Sequence, residues 1–248
     1  MEENHLDLVV VPLSLLVVAT YHSWLLFTII RNPKSTVIGL NALARKRWVA
    51  TMMADPIKNG VLAVQTLRNN IMASTVLATT AITLASLIGV FVGATSASAS
   101  ASSPFSSSSS LVYGNKTTIV ASVKFFAISL CFILAFVCNV QSIRHYAHVS
   151  FLLCIPASAA VSTSYVARSL NRGSFFWSLG LRAFYLSFTL FLWIFGPIPM
   201  LVFSFVMCCL LYLLDTTSEH TRGLHDSCHT DDPDTTTTTT TTTVKEDV

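Results

Sequence analysis

Acidic residues are almost missing from the middle of this chain. Of twelve Asp and Glu among 248 residues, only Asp55 lies between Leu8 and Leu214. Charge of either sign is scarce, at 11% of residues, where a soluble globular domain carries about 25%. Hydrophobic residues make up 52% and the mean hydropathy is +0.64. A water-facing surface cannot be built from this composition, so lipid is the natural solvent for most of the chain.

Other absences narrow the classes further. No Cys-x-x-Cys pair exists, and Cys131, Cys138, Cys154, Cys208 and Cys209 lie in apolar runs, with Cys228 near the end. They read as small hydrophobes packed among helices. The opening Met1-Glu2-Glu3-Asn4-His5 lacks the Lys- or Arg-bearing n-region of a signal peptide, and the apolar run behind it is too long for one, so a retained span is expected. No Walker loop, dinucleotide fingerprint, nucleophile elbow or zincin helix is present. No aromatic-basic module for reading nucleic acid is visible. No cofactor or catalytic residue set is therefore expected, and the class reads as non-enzymatic.

What is present are four apolar runs long enough to cross a bilayer, at 8–30, 71–92, 119–140 and 184–214. The last exceeds a straight span, and Gly196-Pro197-Ile198-Pro199 is expected to kink it. A shorter stretch, 149–161, is diluted by Ser150, Pro156 and Ser158 and reads as interfacial, re-entrant or packed inside the bundle. The expected fold is all-α, a polytopic bundle of about four transmembrane helices with an amphipathic cytosolic helix. It occupies 8–215, after a short acidic stretch at 1–7. A Ser-rich linker at 95–110 and a poly-Thr tail at 216–248 are low-complexity and expected to be disordered.

Basic residues set the expected orientation. Arg31, Lys34, Arg45, Lys46, Arg47, Lys58 and Arg68 fall in the first connection, and Arg144, Arg168, Arg172 and Arg182 in the third. Together they are eleven of fifteen Lys and Arg, which marks both connections as cytosolic. Four spans then put both termini outside or lumenal, in a plasma membrane or endomembrane. The sequon Asn115-Lys116-Thr117 lies in the outside connection.

The richest polar stretch runs from Asp55 to Asn70. Ser35 or Thr36 is placed to cap a helix reaching Ala54, and Asp55 to cap the next, with Pro56 at its first position. Asp55 has helix capping or an ion pair as its expected roles. At helical spacing Lys58, Gln65, Arg68 and Asn69 share one side, while Val61, Leu62, Val64, Leu67 and Ile71 form much of the other. With Arg45, Lys46 and Arg47, these polar residues suit an anionic headgroup or a partner protein. A plain amphipathic helix against the membrane surface would show the same pattern.

Inside the spans, His22 is a candidate polar site, although a histidine bonded to a backbone oxygen is the simpler reading. Lys124 lies about five residues inside the third span, where its long stem can snorkel outward, and it is assigned no function. Ala81, Ala85, Gly89 and Gly93 form a small-residue ridge suited to close helix packing, in this chain or between copies. His145 and His148, and the tail's His220, His225, Cys228 and His229, lack a recognisable metal spacing.

Several of these stretches also carry a resemblance. The run from Arg47-Trp48-Val49 through Asp55, Lys58-Asn59, Val61-Leu62-Ala63-Val64-Gln65-Thr66-Leu67-Arg68-Asn69 and Ile71-Met72-Ala73-Ser74-Thr75 resembles the plant membrane proteins collected as domain of unknown function 599. So do Tyr21-His22-x-Trp24, Gly180-Leu181-Arg182-Ala183-Phe184-Tyr185 and Trp193-Ile194-Phe195-Gly196-Pro197. The resemblance implies a multi-span membrane protein and supplies no activity or catalytic residue. The leading expectation is a scaffold or regulator whose basic cytosolic surface binds anionic lipid headgroups or a partner. The alternative is a small oligomeric transporter or channel subunit using His22, the Pro197 kink and polar residues of the second span. An intramembrane lipid enzyme ranks last, for want of acid–base partners.

Overall fold

The computed structural model describes residues 2–101, 118–155 and 161–216, with side chains over 7–92, 120–155 and 161–216. The described chain is helical: α1 (Glu2–Arg31), a 3-10 turn (Pro33–Ser35), α2 (Val37–Ala54), α3 (Pro56–Ala101), α4 (Thr118–Leu152), α5 (Thr163–Leu192) and α6 (Pro197–Asp215). All but α2 are long and apolar enough to cross a membrane, so the bundle has five such helices among the described residues.

The difference from four lies in 184–214. This run is not one kinked span. It is the end of α5, a turn, and then α6 running back. Gly196 takes φ 156° and ψ 167°, where a helix cannot continue, and Pro197 opens α6 with its φ already set. Thr189 and Met207 line one small cavity with Tyr185 and Leu211, and Arg182 meets Asp215 farther along. Descending α5 numbers thus face ascending α6 numbers, an antiparallel hairpin. α1 instead runs parallel to α6. Val11 shares a cluster with Met200, Trp24 packs on Tyr212, and Thr36 bridges Thr216. Asp7 and Asp215 consequently lie at opposite ends of the bundle.

The third connection is also different from a loop. α4 continues to Leu152 and α5 begins at Thr163, so most of 141–183 is helical hairpin. Of the three arrangements expected for 149–161, interfacial, re-entrant or packed inside the bundle, Val149 and Leu153 take the last and are fully buried in the core. Arg144, Arg168 and Arg172 lie at the end of the bundle that α2 occupies.

Two cores stack along the bundle. One gathers Val11, Ala81, Ile128, Phe132, Ala135, Phe184 and Met200 from α1, α3, α4, α5 and α6. The other gathers Val49, Met53, Leu67, Tyr146, Val149, Leu153, Val166 and Leu170 from α2, α3, α4 and α5. α3, α4 and α5 pass through both. The spanning part of α3, Pro56–Val92, has 37 residues, about 55 Å at 1.5 Å each, against a hydrocarbon core of about 30 Å. α3 also continues as helix through Ala101, into the Ser-rich stretch expected to be disordered. Residues 102–117, with the sequon, and the tail from 217 lie outside the described residues.

Glycines set the closest approaches. Gly173 and Gly180 sit one above the other on α5. Ser142 Oγ donates to the Gly173 carbonyl at 2.9 Å, and a Cβ on Gly180 would come within 2.6 Å of Asn139 Nδ2. Thr36 caps α2 by accepting from Gly39 N at 3.2 Å, and a Cβ on Gly39 would run into the Pro33 carbonyl. Gly39→Ala should therefore destabilise the protein by about 1–3 kcal/mol. Gly60 has open space around its Cβ position, so Gly60→Ala should be neutral or stabilising by up to about 1 kcal/mol. Thermal unfolding of the purified protein in detergent checks both, and equal melting points would contradict the packing described.

Candidate functional site

The densest polar cluster joins α1, α5 and α6. Arg182 Nη2 donates to both Asp215 oxygens, at 3.0 and 2.8 Å, and Tyr21 Oη donates to Asp215 Oδ2 at 2.7 Å. The two charged side chains are only 13% and 12% exposed. Each charge alone would be costly here, and the single Nη2 group holds both carboxylate oxygens. Arg182 Nη1 is buried and has no hydrogen-bond partner. His22 stands beside the cluster, edge-on to Tyr21, with Nδ1 2.8 Å from the Val18 carbonyl.

A crevice opens next to this pair between α2, α5 and α6. It has a volume of about 530 Å³ and is lined by Arg45, Asn171, Ser174, Phe175, Arg182, Leu211, Leu214 and Asp215, among others. A second cavity of about 320 Å³ lies between α2, α3, α4 and α5, with Trp48, Thr66, Asn70, Tyr146 and Leu170 on its walls. Arg45, Ser174 and Trp177 line both. Arg45 Nε donates to Asn171 Oδ1 at 2.7 Å, and Asn171 Nδ2 donates to the Ala42 carbonyl at 3.3 Å. Burial pulls the Arg45 guanidinium below its ordinary pKa, opposed by Tyr146. Arginine starts so high that it stays charged.

The residues singled out in the sequence separate into two groups. Lys46, Lys58, Gln65, Arg68 and Asn69 are exposed, and Arg47 is partly so. Leu67 and Ile71 face the core, but Val61 and Leu62 stand outside at 82% and 59% exposure beside the polar residues. On α3 it is Thr66 and Asn70, one residue away from Gln65 and Asn69, that reach the cavity. Arg45 turns inward, unlike Lys46. Asp55 accepts from Lys58 N at 3.1 Å, capping α3, while Asn59 Nδ2 ties back to the Thr51 carbonyl at 3.1 Å.

Lys124 does not snorkel outward. It is buried, donates to the Trp193 carbonyl at 3.1 Å and lies 5.1 Å from the centre of the Trp193 ring. That carbonyl belongs to the C-terminal end of α5, where a cation is favoured. In the small-residue ridge, Ala81 is fully buried and Ala85 packs beside it in the core with α4, so this part is used within the chain. Gly89 faces open space, and the side of Gly93 lies outside the described residues. His145 stacks on Phe176, and His148 Nε2 lies 3.2 Å from Tyr165 Oη. Among the described residues no group of three His, Cys, Asp or Glu could hold a metal. His220, His225, Cys228 and His229 are outside them. Pro197 begins a helix and does not kink a span, so the path of the transporter reading loses one of its elements.

The pair Arg182–Asp215 was not visible beforehand. Its signal was split among three segments: Tyr21 in Tyr21-His22-x-Trp24, Arg182 in Gly180-Leu181-Arg182, and an acid in the last turn of the final helix. The cluster yields a direct test. Asp215→Asn leaves a buried cation unpaired and should destabilise by about 3 kcal/mol, whereas the Arg182→Met/Asp215→Leu double variant should recover most of that loss. Tyr21→Phe should cost about 1 kcal/mol. Melting curves in detergent decide, and a harmless Asp215→Asn would contradict the pair's role.

No curated protein matches the chain, and no solved structure does. A family model described as "Protein of unknown function, DUF599" matches residues 9–220, and the chain belongs to that family.

Proposed function

We propose that this multi-pass membrane protein is a non-enzymatic scaffold or regulator whose α2 end faces the cytosol and holds anionic lipid headgroups. The observation that carries the reading is the charge of that end. Arg31, Lys34, Lys46, Lys58, Arg68, Arg144, Arg168 and Arg172 are exposed there. Among the described residues, Asp55, exposed, and Asp215, already paired, stand against them. An excess of this size favours the cytosolic side and attracts anionic lipid, at about 1 kcal/mol per nearby Lys or Arg.

The apolar neighbours support the same reading. Ile57 and Val61 are 95% and 82% exposed, on the same α3 segment as Lys58 and Arg68. A helix with cations and bare aliphatic side chains together suits the boundary between headgroups and acyl chains. With five crossings, the beginning of α1 would lie outside and the end of α6 in the cytosol.

The test compares lipid retained by the full-length protein after reconstitution in discs of equal phosphatidylcholine and phosphatidylglycerol and mild delipidation. Lys46→Glu/Lys58→Glu/Arg68→Glu should lower the retained ratio of phosphatidylglycerol to phosphatidylcholine by about fivefold or more. An unchanged ratio would sink the proposal.

A further inference from the structure

The crevice between α2, α5 and α6 holds a charge that nothing in the described chain balances. Arg182 and Asp215 neutralise each other. Arg45 has one hydrogen bond, from Nε to the neutral Asn171 amide, and no carboxylate partner among the described residues. It is partly buried at the junction of two cavities, so its two terminal nitrogens are available to something that occupies them. Arg182 also lines the crevice, with Nη2 on Asp215 and its unpartnered Nη1 enclosed by protein. Buried donors and cations without partners are costly.

The net charge of the lining is thus one positive unit, which calls for a monoanion. Guanidinium forks match the planar or tetrahedral oxygens of carboxylates and phosphodiesters. The rest of the wall is apolar. Phe175, Leu211 and Leu214 line the crevice, and Phe175 and Leu214 are 55% and 66% exposed, so the apolar wall runs out to the surface of the bundle. At about 530 Å³ the space suits a small-molecule head with part of its chain, not a bare ion.

We propose that this crevice binds one monoanionic amphiphile from the membrane, with its phosphodiester or carboxylate on Arg45 and its chain along Phe175, Leu211 and Leu214. This goes beyond the exposed basic surface, which takes many lipids loosely. The crevice takes one.

Trp177 lines both cavities and Trp48 the second, which provides a readout. The full-length protein in neutral detergent is titrated with phosphatidylglycerol brominated on an acyl chain, and tryptophan quenching is followed. The expected result is a saturable phase at one lipid per chain, missing with brominated phosphatidylcholine. Arg45→Gln should weaken that phase about tenfold or more. Ala42→Phe fills the crevice while leaving Arg45 in place, and should remove the phase even where Arg45→Gln does not fold. Affinity unchanged in both variants, or equal quenching by phosphatidylcholine, overturns the site. Displacement of the lipid by millimolar inorganic phosphate overturns its assignment to an amphiphile and makes it a site for free anions.

Discussion

A single ion pair in a setting with little water decides how three helices meet. Arg182 and Asp215 are each too costly to leave alone at this depth, and Tyr21 completes the carboxylate's shell. The pair fixes the register of α6 against α5, and the tyrosine fixes α1 against both. Because α1 and α6 end at this level, the chain leaving α1 turns through Pro33–Ser35 and enters α2 beneath them. The placement of α2, and the crevice it roofs, follow from that level.

Below the pair the bundle changes character. α1 and α6 stop, and α2 takes their place against α3, α4 and α5. Close contact in this layer depends on small or polar residues, such as Gly173 opposite Ser142 and Tyr146. Where α2 crosses α5 the contact is made instead by Arg45 and Asn171, long side chains that hold the backbones apart. The two cavities lie on either side of this prop.

Much of this was legible in the sequence. The apolar runs, the caps at Thr36 and Asp55, and the basic end all follow from composition and local chemistry. The helix count was not, because hydropathy has no direction. An unbroken apolar run at 184–214 cannot show that the chain reverses within it, though Gly196-Pro197 marked the place. α5 was hidden for another reason. Its positions facing α4 are small, Gly173, Gly180 and Ser187 among them, and its most apolar window reaches a mean hydropathy of only 1.4, the lowest of the five. A helix packed inside a bundle needs little hydropathy of its own. The inward turn of Arg45 and of Thr66 was equally hidden, since one residue's rotation about a helix decides between cavity and surface.

The account rests most heavily on five crossings with the α2 end in the cytosol. The most direct measurement is labelling of single cysteines, in a cysteine-free background, by a membrane-impermeant maleimide applied to one side of sealed vesicles. Cysteines at Asn4 and Thr216 should react from opposite sides, with Lys34 and Lys58 positions reacting from the side of Thr216. Reaction of Asn4 and Thr216 positions from the same side would contradict the parallel pairing of α1 with α6 as membrane spans, and the account with it.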